Sequence, residues 1–289
     1  MLPHILIVFF ISCILFFVYA YFRLFQTLHK IIPENKIRKK DFSIQPEEIK
    51  FKSVDGISLQ GWLFRKKNAK GTIIYIHGHG DPVGGKANDY KGVKVLLEDQ
   101  YNLFMPDLRG FGTSDYSLHT LGHLEKNDIL GAIQSIKKHH LLKGLPIYLL
   151  GSSMGAVSAI KAACNNSDIK ALITIAPYRS LHSLFLAQIK KEGFPPYPFV
   201  WFMDLAAMVL ISPFVHSQSA VKAIKHVHVP FLILQGEKDN WIGQKDYELI
   251  YKAANEPKQC IHIKNGVHNL FDSNAQEIKS IVFKFIKKL

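Results

Sequence analysis

Six short apolar runs, most of them separated by stretches with helical spacing, constrain the fold of this 289-residue chain more than any other feature. Each run has four or five residues, a length that suits a strand buried on both faces. Strands that alternate with amphipathic helices predict an α/β fold with a mostly parallel, doubly wound sheet. A hairpin around Asp55-Gly56, formed by residues 49–54 and 57–64, is expected to precede it. The six runs are 72–76, 101–105, 147–150, 171–175, 231–234 and 260–263.

An apolar segment lies at the start of the chain, where residues 5–22 are interrupted only by Ser12. This length is about enough to cross a bilayer as a helix, so we expect residues 1–24 to form one transmembrane anchor. A cleaved signal peptide is the alternative, but no Lys or Arg precedes the run and no small-x-small cleavage site follows it. A juxtamembrane linker at 25–46 and one folded domain at 47–289 are expected to follow.

Basic residues follow the anchor and predict its orientation. Under the positive-inside rule they place the linker and the domain in the cytoplasm. Three cysteines without metal-ligand spacing agree with a reducing compartment. The formal net charge is +13, but no aromatic-and-basic motif accompanies it, so no nucleic-acid partner is expected. Attraction to anionic lipids is the simpler interpretation, and a solvated surface is the alternative. The basic residues are Arg23, Lys30, Lys36, Arg38, Lys39 and Lys40.

One interval between strands is too long for a simple connection. Residues 178–228 separate two of the apolar runs and contain the sequence FPPYPFVWFMDLAAMVLISPF. Insertions of this length usually form a lid or a binding element, so we expect a helical lid over the sheet. The stretch 199–214 could instead be a second membrane span, but it is short for one, contains Asp204 and is interrupted by Pro213.

The pentapeptide Gly151-Ser152-Ser153-Met154-Gly155 carries the strongest chemical signal. It fits the pattern G-x-S-x-G between a buried strand and a helix, and both neighbours are required. The glycines allow a turn sharp enough to expose Ser153, and the following helix directs its first amides at a developing oxyanion. We therefore expect Ser153 to be a nucleophile.

A serine nucleophile needs a base and an acid, and both residue types follow later strands. Asp239 lies just past the fifth apolar run, where ligand-facing residues of a parallel sheet occur, and Glu237 is the alternative acid. His268 lies in the loop after the last run. The order Ser, Asp, His is the one used by the α/β-hydrolase architecture.

The sequence resembles an α/β-hydrolase over residues 47–289, similar to the branch of serine aminopeptidase-like enzymes, monoacylglycerol lipases and related membrane-anchored esterases. The segments that carry this resemblance are YIHGHGD (75–81), MPDLRGFGTSD (105–115), GSSMG (151–155), QGEKD (235–239) and GVHNL (266–270). The resemblance implies that Asp107, Arg109, Gly110 and Gly112 are scaffold, with Arg109 bonded to loop carbonyls or to an acid such as Asp128.

The segment His77-Gly-His79-Gly-Asp81 resembles two different kinds of site. In α/β-hydrolases this position supplies an oxyanion-hole amide, here that of His79, paired with the amide of Met154. His77 is then expected to be a structural ring bonded to nearby backbone. The alternative resembles the H-x-H-x-D-H signature of metallo-β-lactamase-like enzymes, but Pro82 stands where a histidine should be. Zinc would also need more ligands downstream.

Together these features predict a serine hydrolase that cleaves carboxylic esters or thioesters through an acyl-enzyme on Ser153, with no cofactor. The anchor and the aromatic insertion favour a small-molecule or lipid-like acyl substrate over a peptide, for which the insertion offers no acidic cluster. Two alternatives stay open. One is a non-catalytic, membrane-tethered interaction protein with the same fold. The other is a zinc hydrolase that uses His77, His79 and Asp81.

Overall fold

The protein is described by a computed structural model that covers residues 2–30, 37, 39–80 and 84–289. Residues 31–36 and 38 of the linker expected at 25–46, including Lys36 and Arg38, lie outside the described residues, as does Asp81. Within the described part of the chain, the strands form one sheet of eight. Their bounds are β1 Glu47–Lys52, β2 Ser58–Phe64, β3 Thr72–Ile76, β4 Asn102–Pro106, β5 Ile147–Ser152, β6 Ile169–Ile175, β7 Phe231–Gly236 and β8 Lys258–Ile263.

The sheet has the strand order β1-β2-β4-β3-β5-β6-β7-β8. Six strands, β3 to β8, run parallel to one another, and β3 and β5 lie near the middle of the sheet. Strands β1 and β2 form the antiparallel hairpin expected from the sequence, and β2 also pairs antiparallel with β4. The mostly parallel sheet is confirmed. Because parallel strands end at one edge, the loops after β3, β5, β7 and β8 can meet there.

Ten helices connect or flank the strands within the described residues, two of them only four residues long. Helices α3 and α4 pack against each other, whereas α9 contacts both α2 and α10. The bounds are α1 Leu2–His29, α2 Lys86–Val93, α3 Glu125–Lys138, α4 Met154–Ala162, α5 Leu181–Lys191, α6 Phe199–Leu210, α7 Ala220–Ala223, α8 Gln244–Ala253, α9 Leu270–Ser273 and α10 Ala275–Ile286.

Helix α1 is long and apolar enough to cross a bilayer, although a signal sequence or a core helix of a soluble protein meets the same criterion. It continues to His29, five residues past the end of the expected anchor at residue 24. The reason is tertiary: Ala20, Leu24 and Leu28 lie one turn apart on one face and are buried against the rest of the protein. The apolar side chains between Ile5 and Leu15 are exposed.

The insertion between β6 and β7 contains helices α5 and α6, which pack together and which we call the cap. Helix α6 also packs on α1, where the Phe16 ring lies 5.0 Å from that of Phe199. The Asp204 carboxylate, which makes a membrane span unfavourable, is bonded at 2.6 Å to the His182 ring of α5. With 12 residues, α6 is also too short to cross a bilayer.

A buried ion-pair network holds the loop after β4. The Arg109 guanidinium donates to Asp128 Oδ1 of α3 at 2.7 Å and to Asp55 Oδ1 of the β1–β2 turn at 2.7 Å. The backbone amide of Arg109 also donates to Asp128, at 2.9 Å. The structural role expected for Arg109 and its pairing with Asp128 are therefore confirmed, and the network joins three separate parts of the chain beside the carboxyl edge of the sheet.

Candidate active site

Ser153 lies in a sharp turn between β5 and α4, with φ 52° and ψ −115°. Non-glycine residues adopt such a backbone conformation rarely, and it is maintained here by packing on both sides. The Ser153 amide donates to the carbonyl of Ile175 at 2.8 Å. A Cβ atom at Gly155 would collide with the carbonyl oxygens of Ile76 and His77, so only glycine allows α4 to begin this close to β3.

The loop after β8 brings His268 to the serine, 115 residues away in sequence. His268 Nε2 lies 3.0 Å from Ser153 Oγ, and Nδ1 lies 2.9 Å from Asp239 Oδ2. The ring also packs beside Trp241, at 5.9 Å between ring centroids. The imidazole therefore bridges the hydroxyl and the carboxylate, and its side chain keeps 27% of its surface exposed toward the cleft.

The side chain of Asp239 is fully buried, and both of its oxygens accept hydrogen bonds. Oδ1 accepts the amides of Trp241 and Ile242 at 2.9 and 3.0 Å, and Oδ2 accepts Gln235 Nε2 at 3.0 Å in addition to His268. Burial raises the pKa of Asp239, but hydrogen bonds from His268 and from these amides outweigh it and keep the pKa below its usual value. Glu237, the alternative acid, is exposed. The structure thus brings Asp239 to the histidine.

The two residues expected to supply oxyanion amides, His79 and Met154, both line the cleft with Ser153. Met154 is the first residue of α4, so its amide has no carbonyl partner within the helix. The loop after β3 approaches the serine closely, since a Cβ atom at Gly78 would lie 3.4 Å from the Cβ of Ser153. The start of α4 and the loop after β3 therefore both lie beside the Ser153 side chain.

His77 is buried with both ring nitrogens bonded to backbone. Nδ1 donates to the carbonyl of Gly78 at 2.7 Å, and Nε2 accepts the amide of Leu108 at 3.0 Å. A ring engaged in this way has no nitrogen left for a metal ion, and the expected structural role of His77 is confirmed. Among the described residues, no group of three or more His, Cys, Asp or Glu is arranged to hold a metal. Asp81 lies outside those residues.

Ser153 opens onto a cleft of about 620 Å³. Its walls include Leu184 and Gln188 of the cap and, unexpectedly, Arg23, Leu24 and Thr27 of α1. The sequence indicated an anchor there and gave no signal that its last turns reach the site. Gln235 was likewise missed, because a glutamine at a strand end has no distinctive pattern.

These features define the class of α/β-hydrolases: a central parallel sheet, a strained serine between strand and helix, and an aspartate and a histidine after the last two strands. The class rests on both the fold and the arrangement of these loops at one edge of the sheet.

Comparison with known proteins identifies the family. Residues 67–201 match the family described as Serine aminopeptidase, S33. The chain is 30% identical over 274 residues to the uncharacterized protein YfhR of Salmonella typhimurium, covering 88% of this chain and 86% of that protein. It is 24% identical over 248 residues to the monoglyceride lipase of Homo sapiens, covering 74% of this chain and 80% of the lipase. The chain belongs to the α/β-hydrolases, in the serine aminopeptidase-like branch.

Solved structures agree on the fold. An esterase of Pyrococcus furiosus superposes with a TM-score of 0.72 at 20% identity, covering 90% of this chain and 98% of the esterase. The resemblance stated from the sequence and the α/β-hydrolase fold class are both confirmed. Membership of this branch also supports hydrolase activity.

Proposed function

We propose that the protein is a serine hydrolase of carboxylic esters, with Ser153, His268 and Asp239 as its catalytic triad. The observation that carries the proposal is the position of the His268 ring, 3.0 Å from Ser153 Oγ and 2.9 Å from Asp239 Oδ2. Hydrogen bonds at these distances let the imidazole take the hydroxyl proton while the carboxylate stabilises the cation that forms.

In this mechanism Ser153 Oγ attacks the acyl carbonyl and His268 accepts its proton. The amides of His79 and Met154 donate to the oxyanion, each contributing about 3 kcal/mol to transition-state stabilisation. His268 then protonates the leaving group. In the second half, water attacks the acyl carbonyl while His268 accepts its proton, and His268 returns this proton to Ser153 Oγ as the acid leaves. No step needs a cofactor. Esters, thioesters and amides can all follow this route, so the substrate depends on the cleft.

An acyl ester or thioester, with lipid-like groups favoured, suits the cleft better than a peptide. Apolar side chains line much of its wall, including Leu24, Leu184 and Phe185. A peptide amino terminus would need an unbalanced carboxylate, whereas the charge of Glu192 at the rim is balanced by Arg23, and Asp89 accepts the Tyr75 hydroxyl at 2.7 Å and has its pKa raised by burial. The names of the human relative, a monoglyceride lipase, and of the Pyrococcus furiosus esterase agree with this choice.

We also propose the membrane arrangement inferred from the sequence: an anchor at 1–24, a basic linker at 25–46 and a cytoplasmic hydrolase domain at 47–289 with a lid insertion at 178–228. Exposed apolar side chains along the first part of α1 support it. Anionic lipid headgroups are the expected neighbours of the basic residues.

The triad is tested by labelling the detergent-solubilised full chain with a fluorophosphonate probe, which reacts with activated serines. We expect labelling of the wild type, its loss in Ser153→Ala, and its near loss in His268→Ala. His262→Ala, which removes an exposed histidine of β8, is the matched control and should label like the wild type. Labelling that persists in Ser153→Ala would show that another residue reacts.

The membrane arrangement is tested by alkaline extraction and by protease treatment of intact cells. The chain should stay with the membrane at high pH, because an inserted helix is held by its apolar surface rather than by charge. Its domain should be digested only after the membrane is permeabilised. Digestion by external protease in intact cells would place the domain on the opposite side.

A further inference from the structure

Helix α1 lines the cleft of the candidate active site in addition to forming the expected anchor. Leu24 and Leu28 are buried, and the amide of His119 donates to the carbonyl of Leu28 at 3.0 Å, which ties the end of α1 to the loop after β4. Arg23 and Thr27 line the catalytic cleft. The helix therefore enters the hydrolase domain at the level of the candidate active site.

A second cavity, of about 440 Å³, lies between α1 and the cap, and we call it the groove. Its walls are mainly apolar, with Leu15, Phe16 and Tyr19 from α1 facing Ile189, Phe199 and Met203 from the cap. From Leu15 to Arg23 the helix axis advances about 12 Å, so the groove is elongated along α1. Such a shape suits an extended hydrocarbon chain.

The groove is continuous with the catalytic cleft. Arg23, Gln188, Glu192 and Met203 line both cavities. The division between them is the Arg23–Glu192 pair, which Gln188 extends by donating to Glu192 Oε1 at 2.8 Å. The side chains of Arg23 and Glu192 are 46% and 30% exposed, and ion pairs this exposed contribute little to stability. The boundary can therefore open at small cost.

We propose that α1 forms one wall of an acyl-chain site. The chain of a long-chain carboxylic ester lies in the groove, and its carbonyl reaches Ser153 past the Arg23–Glu192 pair. The occupant is the acyl chain of the substrate rather than a bystander lipid, because the groove shares four lining residues with the cleft. The exposed side chains of Leu15 and Tyr19 put the outer end of the groove against the surrounding bilayer. This inference rests on the proposed esterase function.

The test uses the detergent-solubilised full chain and p-nitrophenyl esters from acetate to dodecanoate. If the groove takes the chain, kcat/KM of the wild type should rise about fourfold for each methylene buried. The readout for each variant is the ratio of kcat/KM for dodecanoate to that for acetate, because this ratio is insensitive to the amount of active enzyme.

Two variants with matched controls change the groove. Met203→Trp fills it and should lower the ratio at least tenfold, whereas Met208→Trp, on an exposed position of the same helix, should leave it within twofold of the wild type. Phe16→Ala removes part of the α1 wall at a partly exposed position, so the fold should tolerate it, and it should also lower the ratio. Its control is Phe9→Ala, on an exposed residue two turns earlier that does not line the groove.

The outcomes separate the acyl-chain site from the proposed function. A wild type that hydrolyses acetate and is labelled by the fluorophosphonate probe, but whose ratio is the same in Met203→Trp and Phe16→Ala, would overturn the acyl-chain site and leave the esterase. Equal losses in the variants and their controls would overturn it as well. A wild type with neither hydrolysis nor labelling would overturn both.

Discussion

The side chain of Asp239 is oriented by hydrogen bonds from its own segment, residues 235–242, and from His268 after the last strand. Its two oxygens accept from the His268 ring, the Gln235 amide group and the backbone amides of Trp241 and Ile242. Its pKa lies below the usual value despite burial, because these hydrogen bonds favour the ionised form. At neutral pH the carboxylate is therefore charged, as the proposed triad role requires.

We predict that Asp239→Asn lowers kcat for p-nitrophenyl acetate by about 10⁴-fold, against about 10⁶-fold for Ser153→Ala. The loss is smaller because serine and histidine remain in place, but the amide cannot stabilise the imidazolium. Glu237→Gln, two residues away and exposed, should change kcat less than twofold. Steady-state kinetics measures all three, and a larger loss in Glu237→Gln than in Asp239→Asn would reverse the assignment of the acid.

At the scale of elements, the buried Arg109 network joins the β1–β2 turn, the loop after β4 and helix α3. The side chains of Arg109 and Asp128 are 2% and 0% exposed, so each charge depends on the other for compensation. This network supports the loop next to His77, whose ring accepts the amide of Leu108. Loss of the network should lower the free energy of unfolding rather than kcat, because none of the hydrogen bonds of Arg109 goes to Ser153 or His268.

Replacing Asp128 by asparagine should destabilise the protein by about 3 kcal/mol, because it leaves most of the Arg109 charge uncompensated in the interior. The matched control is Asp168→Asn, which breaks the surface ion pair with Lys137 and should cost less than about 0.5 kcal/mol. Chemical unfolding of both variants near neutral pH measures the difference. Equal effects would mean that Asp55 alone compensates Arg109.

At the scale of the whole molecule, two buried histidines make stability depend on pH. Burial, assisted by His79, lowers the pKa of His119 from 6.5 to about 3. Burial, assisted by Lys161 and Lys126, lowers the pKa of His123 from 6.5 to about 4. Below about pH 6.5 the unfolded chain binds protons on both while the native state does not. Stability is therefore lost as pH falls, by about 1.4 kcal/mol per pH unit for each histidine.

We predict that His123→Gln reduces the loss of stability between about pH 7.5 and about pH 5 by roughly 2 kcal/mol. The variant and the wild type are compared at each pH, because Asp128 also contributes to the pH dependence of both. Burial raises the pKa of Asp128 to about 6, and a raised carboxyl pKa adds stability as pH falls. His140→Gln, at an exposed position, should leave the dependence unchanged. An unaltered dependence in His123→Gln would show that its ring has the same pKa in the native and unfolded states.

The strands, the hairpin and the turn at Ser153 could be read from the chain, because they follow from patterns that span only a few residues. Alternating and continuous apolar runs select strands, and the glycines around Ser153 allow a turn that other residues resist. The bounds of the six runs differ from the observed strands by at most two residues at either end. The class of fold followed from the same local signals.

Three features of the site depend on the folded structure: the choice of Asp239 over Glu237, the hydrogen bond from Gln235 to Asp239, and the approach of α1 to the cleft. Both acids follow the same strand, so the sequence favoured Asp239 while keeping Glu237 as the alternative, and in the structure His268 lies beside Asp239. Arg23 pairs with Glu192 across 169 residues, a contact that no local pattern encodes. Local preferences act over a few residues, whereas the packing of distant segments decides which side chains meet at the site.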